Sequence, residues 1–327
     1  MPERKFARRT FLGLAAGAVA LPFARSAKSE GYPAHPVRIV AGYAPGGGVD
    51  VTARLIGQWL TERLGQSFII ENRPGAGSNI ATEYVIRSPA DGYTLQLIDS
   101  TGAINASLYN NLNFNFIRDM APVAGIMAVP NILLVHPSVP AETVPGFVAY
   151  AKANAGRINV ASAGTGTSPH LSAELFKAMT GAEIVHVPYR GMAPALNDLL
   201  GGQVQASFAT ASASIQHVAS GTLRALAVTS AARSEALPNV PAVAEFVPGY
   251  EATTWYGLGA PRNTPTGIVN TLNREVNAAL ADPKIRARLA VLAGTELPGS
   301  PADLARFIAD ETEKWGNLIR VAGIKLD

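Results

Sequence analysis

Residues 37–64, VRIVAGYAPGGGVDVTARLIGQWLTERL, allow few local structures. Val37, Ile39 and Ala41 alternate with Arg38 and Val40 in a short run that reads as a strand. Gly42, Pro45, Gly46, Gly47 and Gly48 break it. From Val49 the apolar residues Leu55, Ile56, Trp59, Leu60 and Leu64 recur at helical spacing, and Gly65 is a natural stop. The expected unit is strand, glycine-rich loop, helix. Glycines let a backbone approach a bound group closely, and a helix start adds free N–H groups and a partial positive charge. Such a unit can bind an anion through main chain alone. It can equally be only a tight strand-to-helix turn.

The pattern returns in the second half. Residues 158–161 read as a strand, and Ser162-Ala163-Gly164-Thr165-Gly166-Thr167 as a loop of small residues. Ser168 suits the N-cap and Pro169 the first helical position of a helix reaching Thr180, with Leu171, Leu175 and Met179 on one face. Two such units would set helix starts on either side of a cleft. With the hydroxyls of Ser162, Thr165 and Thr167, they suit a ligand negative at both ends, and closure of the cleft would couple binding to shape.

Between and around these units the chain alternates strand and helix. Residues 68–70 and 94–98 read as strands and 80–87 as a helix, after a second glycine-rich turn at Asn72-Arg73-Pro74-Gly75-Ala76-Gly77-Ser78-Asn79. This argues for an α/β fold with a parallel sheet, both glycine turns lying at the carboxyl ends of strands where open sheets bind ligands. Residues 105–121, rich in asparagine, read as irregular. Residues 132–135, bounded by Pro130 and Pro137, read as a strand crossing into a second lobe. A helix over 144–154 capped by Thr143, strands at 184–187, 204–208 and 223–228, and a helix over 193–200 follow. Residues 255–260 cross back. Helices at 266–281, 285–293 and beyond Ser300, whose capping-box spacing to Asp303 opens an amphipathic run, form a terminal block expected to contribute no strand. The division expected is 32–133 for one lobe's first part, 134–252 for the second lobe, and 253–327 for the remainder of the first.

The first 27 residues read as an export signal. Arg4, Lys5, Arg8 and Arg9 precede a modestly apolar segment too short to span a bilayer, and Ala24, Arg25 and Ser26 surround a candidate cleavage point. Arg8-Arg9-Thr10-Phe11-Leu12 resembles the twin-arginine motif; an ordinary secretory signal is the alternative. Of 27 basic and 24 acidic side chains, five and one fall in this segment, leaving 22 against 23. A nucleic-acid partner therefore loses its electrostatic argument. The chain has no cysteine, which excludes disulfides, thiolate metal sites and thiol nucleophiles.

Candidate chemistry is sparse. Asp50 offsets the helix dipole or meets a ligand amine, the former being preferred. His170 donates to an anion or is structural. Ser162 or Ser168 with His170 would suit a hydrolase, but no G-x-S-x-G elbow surrounds them. His35, His136, His186 and His217 show no metal-ligand spacing, and the glycine loop is neither a P-loop nor G-x-G-x-x-G. Neither a metal nor a cofactor is expected. Arg190 pairs with a carboxylate or is solvated.

Several stretches in order resemble the Bug family, the periplasmic solute-binding receptors of tripartite tricarboxylate transporters. They are Tyr43-Ala44-Pro45-Gly46-Gly47-Gly48-Val49-Asp50, Asn72-Arg73-Pro74-Gly75-Ala76-Gly77, Asp91-Gly92-Tyr93-Thr94-Leu95, the 162–170 stretch, Val187-Pro188-Tyr189-Arg190-Gly191, the 223–230 stretch and Trp255-Tyr256-Gly257-Leu258. The resemblance implies a two-lobed periplasmic-binding-protein fold of the Venus flytrap type. It implies a small carboxylate held between lobes by main-chain N–H groups, and membrane transporter subunits as partners of a monomeric receptor. By position it implies binding roles for Pro45, Gly46, Gly47, Gly48, Asn79, Ser162, Gly164, Thr165, Thr167, His170, Tyr189 and Arg190. Two departures stand out: Ser78 replaces a frequent glycine, and Ala209-Thr210 replaces a frequent Asp-Asn pair, which argues against an amino-acid ligand and towards a plainer carboxylate. A carboxylate sensor without a transport role is the runner-up, and a secreted serine hydrolase a third reading.

Overall fold

The computed structural model describes residues 31–109 and 111–324; the expected signal over 1–27, with Arg8-Arg9, and Asn110 lie outside the described residues. β1 (Val37–Ala41) leads through a glycine loop into α1 (Gly48–Leu64), which ends on Gly65 in the left-handed conformation. β2 (Phe68–Asn72), α2 (Asn79–Ile86) and β3 (Thr94–Asp99) follow, and β1 lies between β2 and β3, parallel to both.

The stretch expected to be irregular is instead α3 (Ser100–Leu108) and α4 (Phe116–Asp119). Its asparagines suggested loop, but tertiary partners outweigh that weak preference. The Asp99 carboxylate caps α3 by accepting the Thr101 N–H. Asn105 is buried and donates to Gly77 O and Asn79 Oδ1.

β4 (Met120–Val135) is much longer than the strand expected at 132–135, and two prolines lie within it. Pro122 adjoins a break in register with β9 (Thr253–Pro261), and Pro130 is the last residue paired to that strand. Both sit where the ladder is irregular or ends, so a missing N–H is tolerated. α5 (Val144–Ala153) then starts at the expected cap: Thr143 Oγ1 accepts the Gly146 N–H at 3.1 Å. Thr143→Ala is expected to lower stability by about 1 kcal/mol. A urea midpoint that does not move would show the cap to be idle.

β5 (Ile158–Ser162), α6 (Ser168–Thr180), β6 (Ile184–Pro188), α7 (Met192–Leu200) and β7 (Ala206–Thr210) repeat the opening plan, with β5 parallel to β6 and β7. The N-cap of α6 is Thr167 rather than Ser168, and Met179 is exposed rather than on the buried face of Leu171 and Leu175. α8 (Ala211–Ala219), which the periodicity did not reveal, precedes β8 (Arg224–Val228). After β9 come α9 (Thr266–Ala281), α10 (Pro283–Val291), β10 (Thr295–Glu296) and α11 (Pro301–Ala322). β10 pairs with β4, so the terminal block does contribute a short strand. α11 begins at the expected Ser300–Asp303 capping box and buries Leu304, Ile308, Trp315 and Ile319.

The strands run β2-β1-β3-β9-β4-β7-β5-β6, with β8 and β10 also on β4. β4 pairs β9 antiparallel as far as Pro130 and β7 from Asn131 on, so one strand serves both parallel halves. Its alternating side chains divide two cores. Ile132 and Leu134 join one that includes Ile56 of α1, Leu196 of α7 and Leu272 of α9. Leu133 and Val135 join another that includes Ile104 of α3, Phe176 of α6 and Trp315 of α11. Helices thus cover both faces of the sheet, as parallel strands require. No helix among the described residues is long and apolar enough to cross a membrane.

Candidate functional site

Helices α1, α6, α7 and α8 begin after Gly47, Thr167, Gly191 and Thr210, and none of these residues makes a side-chain capping bond. α2 and α9 also start uncapped, whereas α3, α4, α5, α10 and α11 are capped by Asp99, Asn115, Thr143, Asp282 and Ser300. The first N–H groups of an uncapped helix lack an intrahelical partner. The four uncapped starts named first meet at one small cavity. Gly47, Gly48, Val49, Thr167, Ser168, Pro169, Met192 and Thr210 line it, together with Tyr43, Asp99, Ala163, Thr254 and Tyr256. No lysine, arginine or histidine stands among these described lining residues. Attraction for an anion here comes from main-chain N–H groups and helix dipoles.

Buried polar contacts hold the loops in place. The Asp50 carboxylate accepts from Gly46 N–H at 2.9 Å, Asn72 Nδ2 at 3.0 Å and Arg54 Nε and Nη2 at 3.0 and 2.9 Å. Burial would raise this carboxyl, but the bonds from Arg54, Gly46 and Asn72 and the Arg54 charge outweigh it and hold it below its ordinary value. Asn72 Nδ2 also donates to Tyr43 O, tying the second strand end to the first loop. Across the cavity, Ala44 N–H donates to Arg190 O at 3.0 Å, joining the loop after β1 to the loop after β6. At the hand-over point of β4, Asn131 Nδ2 donates to Ser168 Oγ and Ser172 Oγ at 3.0 and 2.9 Å and so fixes the start of α6.

Of the residues expected from the sequence, Gly47, Gly48 and Thr167 line the cavity. Gly164, Thr165, Tyr189 and Arg190 line a neighbouring pocket, which shares Tyr43 and Ala163 with the first and also includes Gly75, Gly77 and Tyr109. Tyr189 OH donates to Asp198 Oδ2 at 2.6 Å; burial and then Asp198 push its phenol up to about 12. Arg190 is exposed.

Pro45, Gly46, Asn79, Ser162 and His170 line neither cavity. Pro45 and Gly46 face outward, and Gly46 N–H is taken by Asp50. Asn79 lies behind the second loop against Asn105. His170 Nδ1 accepts Gly166 N–H at 3.2 Å, which places its proton on Nε2. Burial, then His186 and Lys177, hold this imidazole down to about 3, so it is neutral at physiological pH. Ser162 Oγ lies 2.6 Å from His186 Nε2, and Ser168 Oγ meets Asn131. Neither serine makes the pair with His170 that the hydrolase reading required.

Asp99, Tyr43, Met192 and Tyr256 also line the cavity, and the sequence assigns none of them a binding role. A signal for Asp99 was available: it ends a strand at the same sheet edge as the two glycine turns. Its Oδ2 accepts from Tyr43 OH at 2.8 Å and Thr101 Oγ1 at 3.2 Å. Burial pushes this carboxyl up to about 6 against those hydrogen bonds. The two sequence departures also gain a setting. Ser78 has φ +68°, the left-handed region that glycine adopts without strain. Thr210 replaces a frequent family asparagine on the cavity wall, and its Oγ1 has no hydrogen-bond partner.

A family model described as tripartite tricarboxylate transporter family receptor matches residues 52–324. BugT of Bordetella pertussis is 37% identical over 301 residues, which cover 91% of this chain and 92% of that one. The structure of Rpa4515 from R. palustris with adipate superposes with a TM-score of 0.88 at 40% identity, over 90% of this chain and 99% of that one. MatC (Rpa3494) from Rhodopseudomonas palustris with bound malate gives 0.84 at 31% identity, over 88% and 100%. The similarity extends through both halves of the sheet, as a two-lobed binding-protein fold requires.

Proposed function

Since the chain belongs to the tripartite tricarboxylate transporter receptor family, to which the Bug proteins are related, we propose that it is a periplasmic receptor that captures a small carboxylate between its lobes and delivers it to the membrane subunits of such a transporter. The observation that carries this reading is the meeting of four uncapped helix starts at a cavity whose described lining has no cationic side chain. Gly47, Gly48 and Thr167 hold the carboxylate through main chain, while Gly164, Thr165, Tyr189 and Arg190 form the approach to it. Pro45, Gly46, Asn79, Ser162 and His170 shape the loops from behind. The lobes divide at 32–133, 134–252 and 253–327, and the basic and apolar segment over 1–27 directs export. The receptor works as a monomer.

The test is a thermal-shift screen of the purified protein with mono-, di- and tricarboxylates and amino acids, beginning with the adipate and malate found in its relatives. A ligand present at 100 times its Kd adds about 2.7 kcal/mol to the stability of the native state. A shift with one carboxylate class is the expected result. A shift confined to amino acids would overturn the plain-carboxylate reading.

A further inference from the structure

The cleft cavity contains an acid in a place built to attract anions. Asp99 is only 9% exposed, and it forms part of the cavity wall. The groups that share this wall with it are Tyr43 from the loop after β1, the uncapped starts of α1, α6 and α7, Thr254 and Tyr256 from β9, and Thr210 at the end of β7. Both tyrosines are buried, and burial raises both phenols, Tyr256 to about 12, so both stay neutral. The other charges nearby are turned away: Asp50 of α1 is spent on Gly46, Asn72 and Arg54, and His170 of α6 is neutral. Thr210 Oγ1, nine-tenths buried, is unpartnered in the same wall. A carboxylate entering this space meets helix N–H groups and one carboxyl that has no cation to offset it. Two carboxylates in one desolvated site do not both stay ionised.

We infer that Asp99 makes carboxylate capture proton-linked: the cleft takes up the ligand anion together with one solvent proton, which rests on the Asp99 carboxyl and is shared with a ligand oxygen. The inference rests on the receptor reading proposed above. Burial brings Asp99 to about 6, so near neutral pH it is mostly ionised and must gain its proton on binding. The ligand raises it further. Affinity is therefore full below about pH 6 and falls as pH rises, by up to tenfold per unit until the bound-state value is reached.

The test is isothermal titration of the protein with adipate between about pH 6.5 and 8, a range in which the ligand's own carboxyls are ionised, in two buffers of different ionisation enthalpy. The expected result is close to one proton taken up per adipate bound and a Kd that rises about 25-fold across the range. Asp99→Asn keeps the shape and an acceptor for the α3 cap, and should flatten the profile while binding at least as well as the wild type at pH 8. Wild-type binding with no proton uptake and no slope would overturn the inference alone, without recourse to the variant, as would an Asp99→Asn profile that keeps the slope. Preference for an amino acid, lost in Asp99→Asn, would replace it with a role for Asp99 as ammonium acceptor. If adipate, malate and the other carboxylates all fail to bind at any pH, the receptor reading and this inference fall together.

Discussion

Gly48→Ala is expected to weaken carboxylate binding by about 10- to 100-fold while leaving the fold intact. A Cβ on Gly48 would overlap the Ser212 hydroxyl and come within 2.5 Å of Tyr256 OH. Those two hydroxyls are buried and hydrogen-bonded to each other at 3.1 Å, so neither moves without losing a partner. Ser212 belongs to α8 and Gly48 to α1, two of the helices whose starts meet at the cavity. The added methyl therefore acts as a wedge where the ligand is held. Overpacking of this kind costs about 1–3 kcal/mol in a folded core; where the ligand must seat against the displaced hydroxyls, a penalty of that size falls on binding, and about 1.4 kcal/mol is a factor of ten in affinity. Alanine is otherwise a better helix former than glycine, so helix content should not fall. Titration with the best carboxylate from the thermal screen measures the effect. Gly267→Ala, where a Cβ meets nothing within 4 Å, is the control. An affinity within twofold of the wild type would mean that Gly48 is only a turn residue.

Asp50→Ala should lower stability by about 2–3 kcal/mol, because hydrogen bonds to a charged group contribute about 1.5–3 kcal/mol each and their loss is partly offset by water. The carboxylate lies at the third position of α1, 3% exposed, and holds Gly46 N–H, Asn72 and Arg54 at once. Arg54 is half exposed and can be rehydrated, which limits the loss. Because the folded carboxyl is held below its ordinary 3.8, the wild-type advantage is fully present at neutral pH. It fades only as acid titrates the group below that value. Urea unfolding at pH 7 and pH 3 separates the two regimes. A variant equally stable at pH 7, or a difference that grows in acid, would contradict this account. Freed from its anchor, the glycine loop should also bind ligand more weakly.

The strand–glycine loop–helix units were legible because their determinants are local. Helical spacing in α1, the left-handed Gly65, the cap of α5 by Thr143 and the Ser300–Asp303 box of α11 each involve neighbours within a few residues. The asparagine-rich stretch reads as loop for the converse reason: Asn105 finds its partners at Gly77 and Asn79, far away in sequence, and that makes helix rather than loop the better state. The prolines of β4 misled in the same way, since only the register with β9 shows that Pro122 and Pro130 stand where the ladder can spare an N–H.

At the site the same division holds. The sequence alone determined the two strand, small-residue loop and helix units that open with β1 and β5, and hence that main-chain donors would collect at the carboxyl ends of strands; it did not show α3 or α8. The residue types of those two units dictate this whatever surrounds them. Only the tertiary structure decided which groups share the cavity. It set Asp99, Thr210 and Tyr256 against Gly48 and turned Ser162 towards His186 rather than His170. It also gave Asn131 the task of positioning α6. Those pairings join residues tens to more than a hundred positions apart, and long β4, which passes from one half of the sheet to the other, is what brings them together.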